Sequence, residues 1–504
     1  MILNNVTAGD YPSNALPFLK GVEAGYSTVL RTPLFEDMEP QDIADDVFRM
    51  VTTSSRQLLP ELLELETKQR AKIGPISVRL PFPERVPDVE SYYSRFRQPD
   101  FDHSEIRRMA GFNPYEKFPV NRLRPISMEK AANQLPKNTN SGLPLFRKRG
   151  EVLEESIRLA NEWRIFPSLL GWRGSAGQTG DRVPKQRVVW MADASGNILE
   201  ARYQQVALPF YQSIPQFAAM TDLNAVDKVI TNVLDLVGDD EQIIATDFSK
   251  FDQTLGPTQQ GWFFHRLENM FNVSFHSELE WLSQRLCNVE LLCTTTTRAV
   301  GEHGMPSGSV FTNLCDSTVN LDVQMSSPEV NRPHLVTVLG DDGVSIVKDV
   351  SNHLKHIERC GFEVNSEKQY VSKKATVYLQ RLHHVDYRID GICRGVVSIM
   401  RALNSLIYQE RFHRDWDSEL VSLRTIAIME NAKWHPLFPE FVKFVVERGD
   451  KYLKQFVSKL LSNKTFTRGV LSKARSIPGF VPSYNQADVG GILNFRSVKI
   501  ISEL

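Results

Sequence analysis

His334 to Asp349 reads HLVTVLGDDGVSIVKD, two apolar runs joined through a glycine-flanked pair of aspartates. The runs LVTVLG and GVSIVKD are rich in β-branched residues and predict a hairpin with Asp341 and Asp342 at its tip. Adjacent carboxylates repel, and Asn-Gly would close such a turn without that cost. A surface turn is the bland explanation, and a divalent-metal site is the sharp one. At ordinary residue frequencies a Gly-Asp-Asp tripeptide arises by chance in roughly one chain in ten of this length. The tripeptide alone therefore settles nothing, and the flanking sequence has to decide.

Upstream, EQIIATDFSKFD predicts a short buried strand ending at Asp247, with Asp252 following at D-x4-D spacing. Next, GMPSGSVFTNLCDSTVNLDVQM predicts a loop feeding a helix, with Val310, Phe311, Leu314 and Cys315 at helical spacing. Beyond the hairpin, a helix through HLKHIERC stops at Gly361 and a strand is expected around FEV. This order predicts an antiparallel α+β sheet with helices on one face. If the Asp247 strand neighbours the hairpin, Asp247, Asp341 and Asp342 converge at the sheet edge. Clustered carboxylates are costly unless a cation sits among them. Oxygen ligands without Cys or His select Mg²⁺ or Mn²⁺, and two such ions can activate a 3′-hydroxyl and stabilise a leaving pyrophosphate.

The net charge of −1 over 504 residues excludes a generic polyanion binder, so affinity for nucleic acid must come from local patches. Three patches qualify. Residues 121–150 carry seven Lys/Arg against the single acid Glu129. WRGSAGQTGDRVPKQRVVW, from Trp172, is basic and glycine-rich, a composition suited to phosphate. Lys451 to Arg475 holds seven basic residues and no acid. Together they suggest the walls of a polyanion channel. The acidic stretch from residue 36 to 50 leads into a helix interrupted near Pro60 and reads as a solvated flank. Five scattered cysteines, never spaced CxxC, argue against disulfides and zinc. The opening MILNNVTAGDYPSN lacks a basic region followed by an apolar core, and no apolar run approaches the roughly 20 residues that span a bilayer. A soluble intracellular chain with no membrane partner is expected.

TDFSKFD, GMPSGSVFTN, LGDDG and GFEVNSEK, in that order, resemble palm motifs A, B, C and D of viral RNA-dependent RNA polymerases. NTNSGLP is similar to motif G, DRVPKQRVV to motif F, and VYLQRLHH is placed like motif E. The resemblance covers residues from about 137 to 385. Within it, DFSKFDQ and PSGSVFTN look most like picobirnavirus polymerases, with the partitivirus group second. Both groups have segmented double-stranded RNA genomes.

This resemblance implies a right-hand polymerase that replicates and transcribes such a genome. It has an N-terminal extension (1–66), fingers (67–240 and 257–297), palm (241–256 and 298–387), helical thumb (388–475) and a C-terminal tail (476–504) that folds back toward the cleft. It makes Asp247 and Asp341 the principal ligands of two Mg²⁺ or Mn²⁺ ions, assisted by Asp342, and Lys368 the general acid for pyrophosphate. Arg182, Lys185 and Arg187 would hold the triphosphate, with Arg173 competing. Asp252 with Asn313 would sense the ribose 2′-hydroxyl, beside Ser307. Ser141, Gly142 and Gly308 would contact template. The implied partners are RNA template and product duplex, NTPs and a viral capsid protein, in the virion interior and host cytoplasm. His383 and His384 receive no role, because neighbours on a strand face opposite sides. A reverse transcriptase and a non-catalytic RNA-binding protein on a decayed palm are the rival readings.

Overall fold

The computed structural model describes residues 2–5, 14–54, 58–175, 184–366, 368–411, 416–475, 477 and 491–504. Arg182 lies outside them. At the centre is a four-stranded antiparallel sheet in the order Thr337–Leu339, Asp342–Val347, Gln242–Thr246, Tyr370–Ser372. The hairpin of the opening stretch forms as expected, closing through Gly340 and Asp341, with Gly340 at φ +59°. The Asp247 strand is its direct neighbour: Thr246 pairs with Gly343, so one step further the register brings Asp247 level with Asp342. The strand expected at FEV is reduced to a single bridge, Phe248 to Val364. Ladder pairing to the central strand comes later, at Tyr370–Ser372.

Behind the sheet lies the helix Thr312–Ser326, buried at every position from Leu314 on. Its apolar residues join Phe263, Phe264 and Phe311 in the largest core. A second, five-stranded sheet contains the hairpin Ser168–Ser175 and Lys185–Met191, with Ser175 opposite Lys185. Trp190 on this hairpin is fully buried against His303, Tyr92 and Tyr93.

The C-terminal layer is helical from Ile399 on, after a small hairpin at Arg388–Ile389 and Ile392–Cys393. Its core takes in the N-terminal helix Pro40–Thr53 through Ile43, Ala44, Val47 and Val51. The acidic flank is therefore amphipathic rather than wholly solvated: its apolar stripe is buried while Asp46 pairs with Arg448 at 3.0 Å. The chain does break near Pro60, where a new helix, Pro60–Arg70, begins. Glu66 of that helix accepts hydrogen bonds from Ser398 Oγ, Ile399 N and Met400 N, capping a C-terminal helix from across the chain.

The expected tail divides. Residues 478–490 lie outside the described residues, whereas Arg496–Glu503 is a helix set into the C-terminal core through Val498 and Ile501. Contacts join the earlier part of the chain to the C-terminal layer: Asn138 Nδ2 donates to Arg475 O at 3.1 Å, and Gly174 N to Glu410 Oε1 at 3.3 Å. All five cysteines are free and buried. Among the described residues no helix is long and apolar enough to cross a membrane.

Candidate active site

The tip of the hairpin is held by a polar stripe on the buried helix. Ser317 Oγ accepts from Gly340 N at 2.8 Å, and Asn320 Nδ2 donates to Gly340 O at 2.9 Å and to Asp342 O at 3.3 Å. One turn on, Gln324 Oε1 accepts from Ser345 Oγ at 3.0 Å and Gln324 Nε2 donates to Asn320 Oδ1 at 3.3 Å. Asn313, Ser317, Asn320 and Gln324 are spaced four, three and four apart, one face of a helix. The turn's geometry is thus fixed through main-chain groups, leaving the aspartate side chains unspent.

No ion pair among the described residues engages Asp247, Asp341 or Asp342. Burial, then the charges of Asp341 and Asp247, pushes the Asp342 carboxyl up to about 7. Burial and then Asp341 push Asp252 to about 7 as well. Burial also raises Asp247, opposed first by Lys368. Among the described residues no three His, Cys, Asp or Glu side chains are already gathered at the spacing of one ion. Asp247, Asp341 and Asp342 nonetheless offer carboxylate oxygens at one sheet edge, the donor chemistry that suits hard divalent cations.

A sign follows for stability. A carboxyl raised from 3.8 to about 7 in the folded chain takes up protons that the unfolded chain has released, so stability falls as pH rises through that window. Asp342→Asn is expected to stabilise the chain at pH 8 in chelator by on the order of 2 kcal/mol after screening in an open cleft, and so to raise its melting temperature. The gain should shrink toward pH 4 and reverse when Mg²⁺ is added. Thermal melts at the two pH values check it, and a pH-independent gain would contradict the charge explanation.

Cations face these acids from several segments. Lys185 and Arg187 project from the hairpin strand; the Lys185 ammonium is lowered by burial and by Arg187, and Arg187 in turn favours ionised Asp252 and Asp342. Lys368 is exposed and acts on Asp247. Two more cations were not anticipated. Lys72, just after the helix Pro60–Arg70, acts on Asp247, and Arg401, on the first helix of the C-terminal layer, acts on Asp342. Nothing in their local sequence marks them; only the fold brings them here.

Of the two residues expected to sense the ribose, Asp252 is partly buried and Asn313 lies at the surface. Asn313 is exposed at the start of its helix, in a cavity of about 370 Å³ with Gln204, Gln212 and Leu339. Among the described residues no hydrogen bond joins it to Asp252. One turn deeper, Asp316 is 5% exposed, its Oδ1 has no hydrogen-bond partner among the described residues, and its carboxyl is raised by burial and by Asp252 and Asp341. Asn313 opens the helix at its exposed end, whereas Asp316, nearly a turn on, lies in its buried part.

Of the three residues expected at the template, Ser141 and Gly142 are buried and Gly308 is partly buried. Ser141 is 1% exposed and its Oγ accepts from Arg147 N at 3.1 Å. Added Cβ atoms would lie 2.5 Å from Ala192 O at Gly142 and 1.7 Å from Trp190 O at Gly308, so both glycines serve close backbone packing. Ser307 Oγ accepts from Trp190 N at 3.3 Å. The next turn of this loop rests on a buried network: Glu200 accepts from Ser309 Oγ at 2.6 Å and Val310 N at 2.8 Å. Arg285 bridges Glu200 at 2.7 Å and Asp193 at 2.5 Å. Asn197, with its amide oriented to satisfy both neighbours, joins Gly308 O to Arg149.

A family model described as viral RNA-dependent RNA polymerase matches residues 104–434. The chain belongs to the viral RNA-dependent RNA polymerases. A potential RNA-dependent RNA polymerase of Human picobirnavirus is 35% identical over 463 residues, covering 86% of this chain and 84% of that one. The crystal structure of a human picobirnavirus RNA-dependent RNA polymerase, 30% identical, superposes with a TM-score of 0.86 over 98% of this chain and 97% of that one. An insertion-loop deletion mutant of such a polymerase matches equally well, at 31% identity. The right-hand α+β fold expected of the polymerase is borne out by these matches. The chain is an RNA-directed RNA polymerase, acting on RNA and NTPs.

Proposed function

We propose that this is the polymerase of a picobirnavirus-like virus, copying a segmented double-stranded RNA genome in replication and transcription. The observation that carries the chemistry is the register that sets Asp247 beside Asp342 at one sheet edge, with Asp341 at the tip between unpaired acids and a ring of cations. When bound to Asp247 and Asp341, with Asp342 assisting, two Mg²⁺ or Mn²⁺ ions supply charge for activating the RNA 3′-hydroxyl and stabilising pyrophosphate. Lys185 and Arg187 hold the triphosphate, and Lys368 delivers a proton to the departing pyrophosphate. The basic stretches at 121–150 and 451–475 line the RNA paths, with Arg149 turned inward to the loop network. A viral capsid protein is the expected partner, in the virion interior and the host cytoplasm. The fingers span 67–240 and 257–297, the palm 241–256 and 298–387 and the thumb 388–475, with the helix Arg496–Glu503 joining the thumb core.

We assign ribose selection to Asp252 and Asn313, with the buried Asp316 beside them. A carboxyl held near 7 is partly protonated at neutral pH, so it both donates and accepts, as a 2′-hydroxyl requires. A deoxyribose would leave the buried Asp316 oxygen without a partner. Extension of an RNA template with rNTPs or dNTPs in Mg²⁺ or Mn²⁺ tests the reading. Strong rNTP preference is expected, reduced about tenfold or more in Asn313→Ala and in Asp316→Ala. Equal use of dNTPs by the unmodified chain would favour the reverse-transcriptase alternative.

A further inference from the structure

Asp247 is held in an unusual way. The ladder between the central strand and Tyr370–Ser372 ends at Ala245 opposite Tyr370. Beyond it, the next residue of the edge strand, Gln369, turns its side chain onto the main chain of Asp247. Gln369 Oε1 accepts from Asp247 N at 3.0 Å, and Gln369 Nε2 donates to Asp247 O at 2.9 Å. An amide side chain thus pairs with a residue as a peptide of a neighbouring strand would, through one donor and one acceptor.

The same carbonyl, Asp247 O, also accepts from Asn365 N at 3.1 Å, and Gln369 Nε2 also donates to Asn365 O at 2.8 Å. Asn365 and Gln369 are the two ends of the short segment that carries Lys368, whose own N–H donates to Asn365 O at 3.0 Å. Both feet of that loop therefore stand on the peptide groups of Asp247. Lys368 is also the cation with the largest influence on the Asp247 carboxylate. A loop closed on one residue has little freedom to drift relative to it, because its closure entropy has already been spent.

We propose that Gln369 is a positioning residue for nucleotidyl transfer: its amide clamps the Asp247 main chain and sets the distance between the metal-ligating carboxylate and the Lys368 ammonium. This rests on the roles assigned above to Asp247 and Lys368. The amide contacts neither substrate nor ion; it acts on the rate by keeping two catalytic groups in register, where small displacements cost large factors.

The test is single-turnover incorporation by the full chain on an RNA primer–template at saturating NTP. It compares Gln369→Met, which keeps the length and loses both bonds, with Gln369→Asn, which stays polar but falls short of Asp247. Both are expected to slow the step about ten- to a hundredfold, with NTP half-saturation and RNA affinity within about twofold of the unmodified chain. Lys368→Ala should cost much less in the Gln369→Met background than alone, because the loop is already out of register. An unchanged rate in either Gln369 variant, a loss confined to NTP or RNA affinity, or penalties that multiply in full would overturn the proposal. If Lys368→Ala alone costs nothing, the proton-donor role fails separately. A persistent Gln369→Met loss in that case still supports the clamp on Asp247.

Discussion

Asp341→Ala is expected to lower nucleotide incorporation by about a thousandfold or more while RNA binding stays nearly unchanged. The side chain sits exposed at the hairpin tip and takes no hydrogen bond or ion pair among the described residues. The turn is held instead by Ser317 and Asn320 through the main chain of Gly340 and Asp342. Removing the carboxylate therefore leaves the fold intact and deletes charge only where cations are needed. Removing one negative charge also relieves Asp342 and Asp252, whose carboxyls it raises, so the variant should melt no lower than the parent in chelator. Labelled NTP incorporation and RNA binding by anisotropy measure the two halves. Retained synthesis would rule out the metal assignment, and lost RNA binding would show a structural role instead.

Glu200→Ala should act in the opposite way, through stability. Glu200 and Arg285 are 1% and 5% exposed, and Arg285 also grips Asp193, which is fully buried. Deleting Glu200 leaves a buried guanidinium with half its compensation and strips the acceptor from Ser309 Oγ and Val310 N. Breaking one partner of such a buried network costs about 3–5 kcal/mol. A marked fall in melting temperature is expected, with increased proteolysis at the loop from residue 306 to 311. Glu200→Gln keeps the shape and one acceptor and should lose less. An Ala variant that melts like the parent would mean that the loop is held by Trp190 and Asn197 alone.

Much of the central sheet could be read from local pattern. The Asp247 strand, the hairpin and the helix starting after Phe311 are strongly periodic segments with turn residues between them, and they formed as expected. The strand near Val364 did not, because only residues 363–365 stay close to the chain leaving the central strand before it bends away. The acidic N-terminal helix was read by its charge, yet its apolar stripe found a partner some 350 residues on, a pairing invisible to any local window. The site shows the same division. Lys185, Arg187 and Lys368 lie in motifs, whereas Lys72 and Arg401 reach the carboxylates only through packing. Asn313 and Asp316 lie three positions apart on one helix, and the sequence offers no means of telling that Asp316 is buried beside Asp252 and Asp341.

Sequence by itself determined the order of the acidic strand ends, the loop and the basic segments, and through that order the kind of chemistry. Order is local and additive, so a single chain displays it. Tertiary structure decided which groups share one electrostatic environment: Asp252 with Asp316, Asp342 with Arg401, and Asp247 with the amide of Gln369. Those relations depend on register and helix rotation, where a shift of one residue turns a side chain to another face. The aspartate pair that reads as a turn stands at a sheet edge beside Asp247, with cations from distant segments around it, and only the folded sheet reveals that.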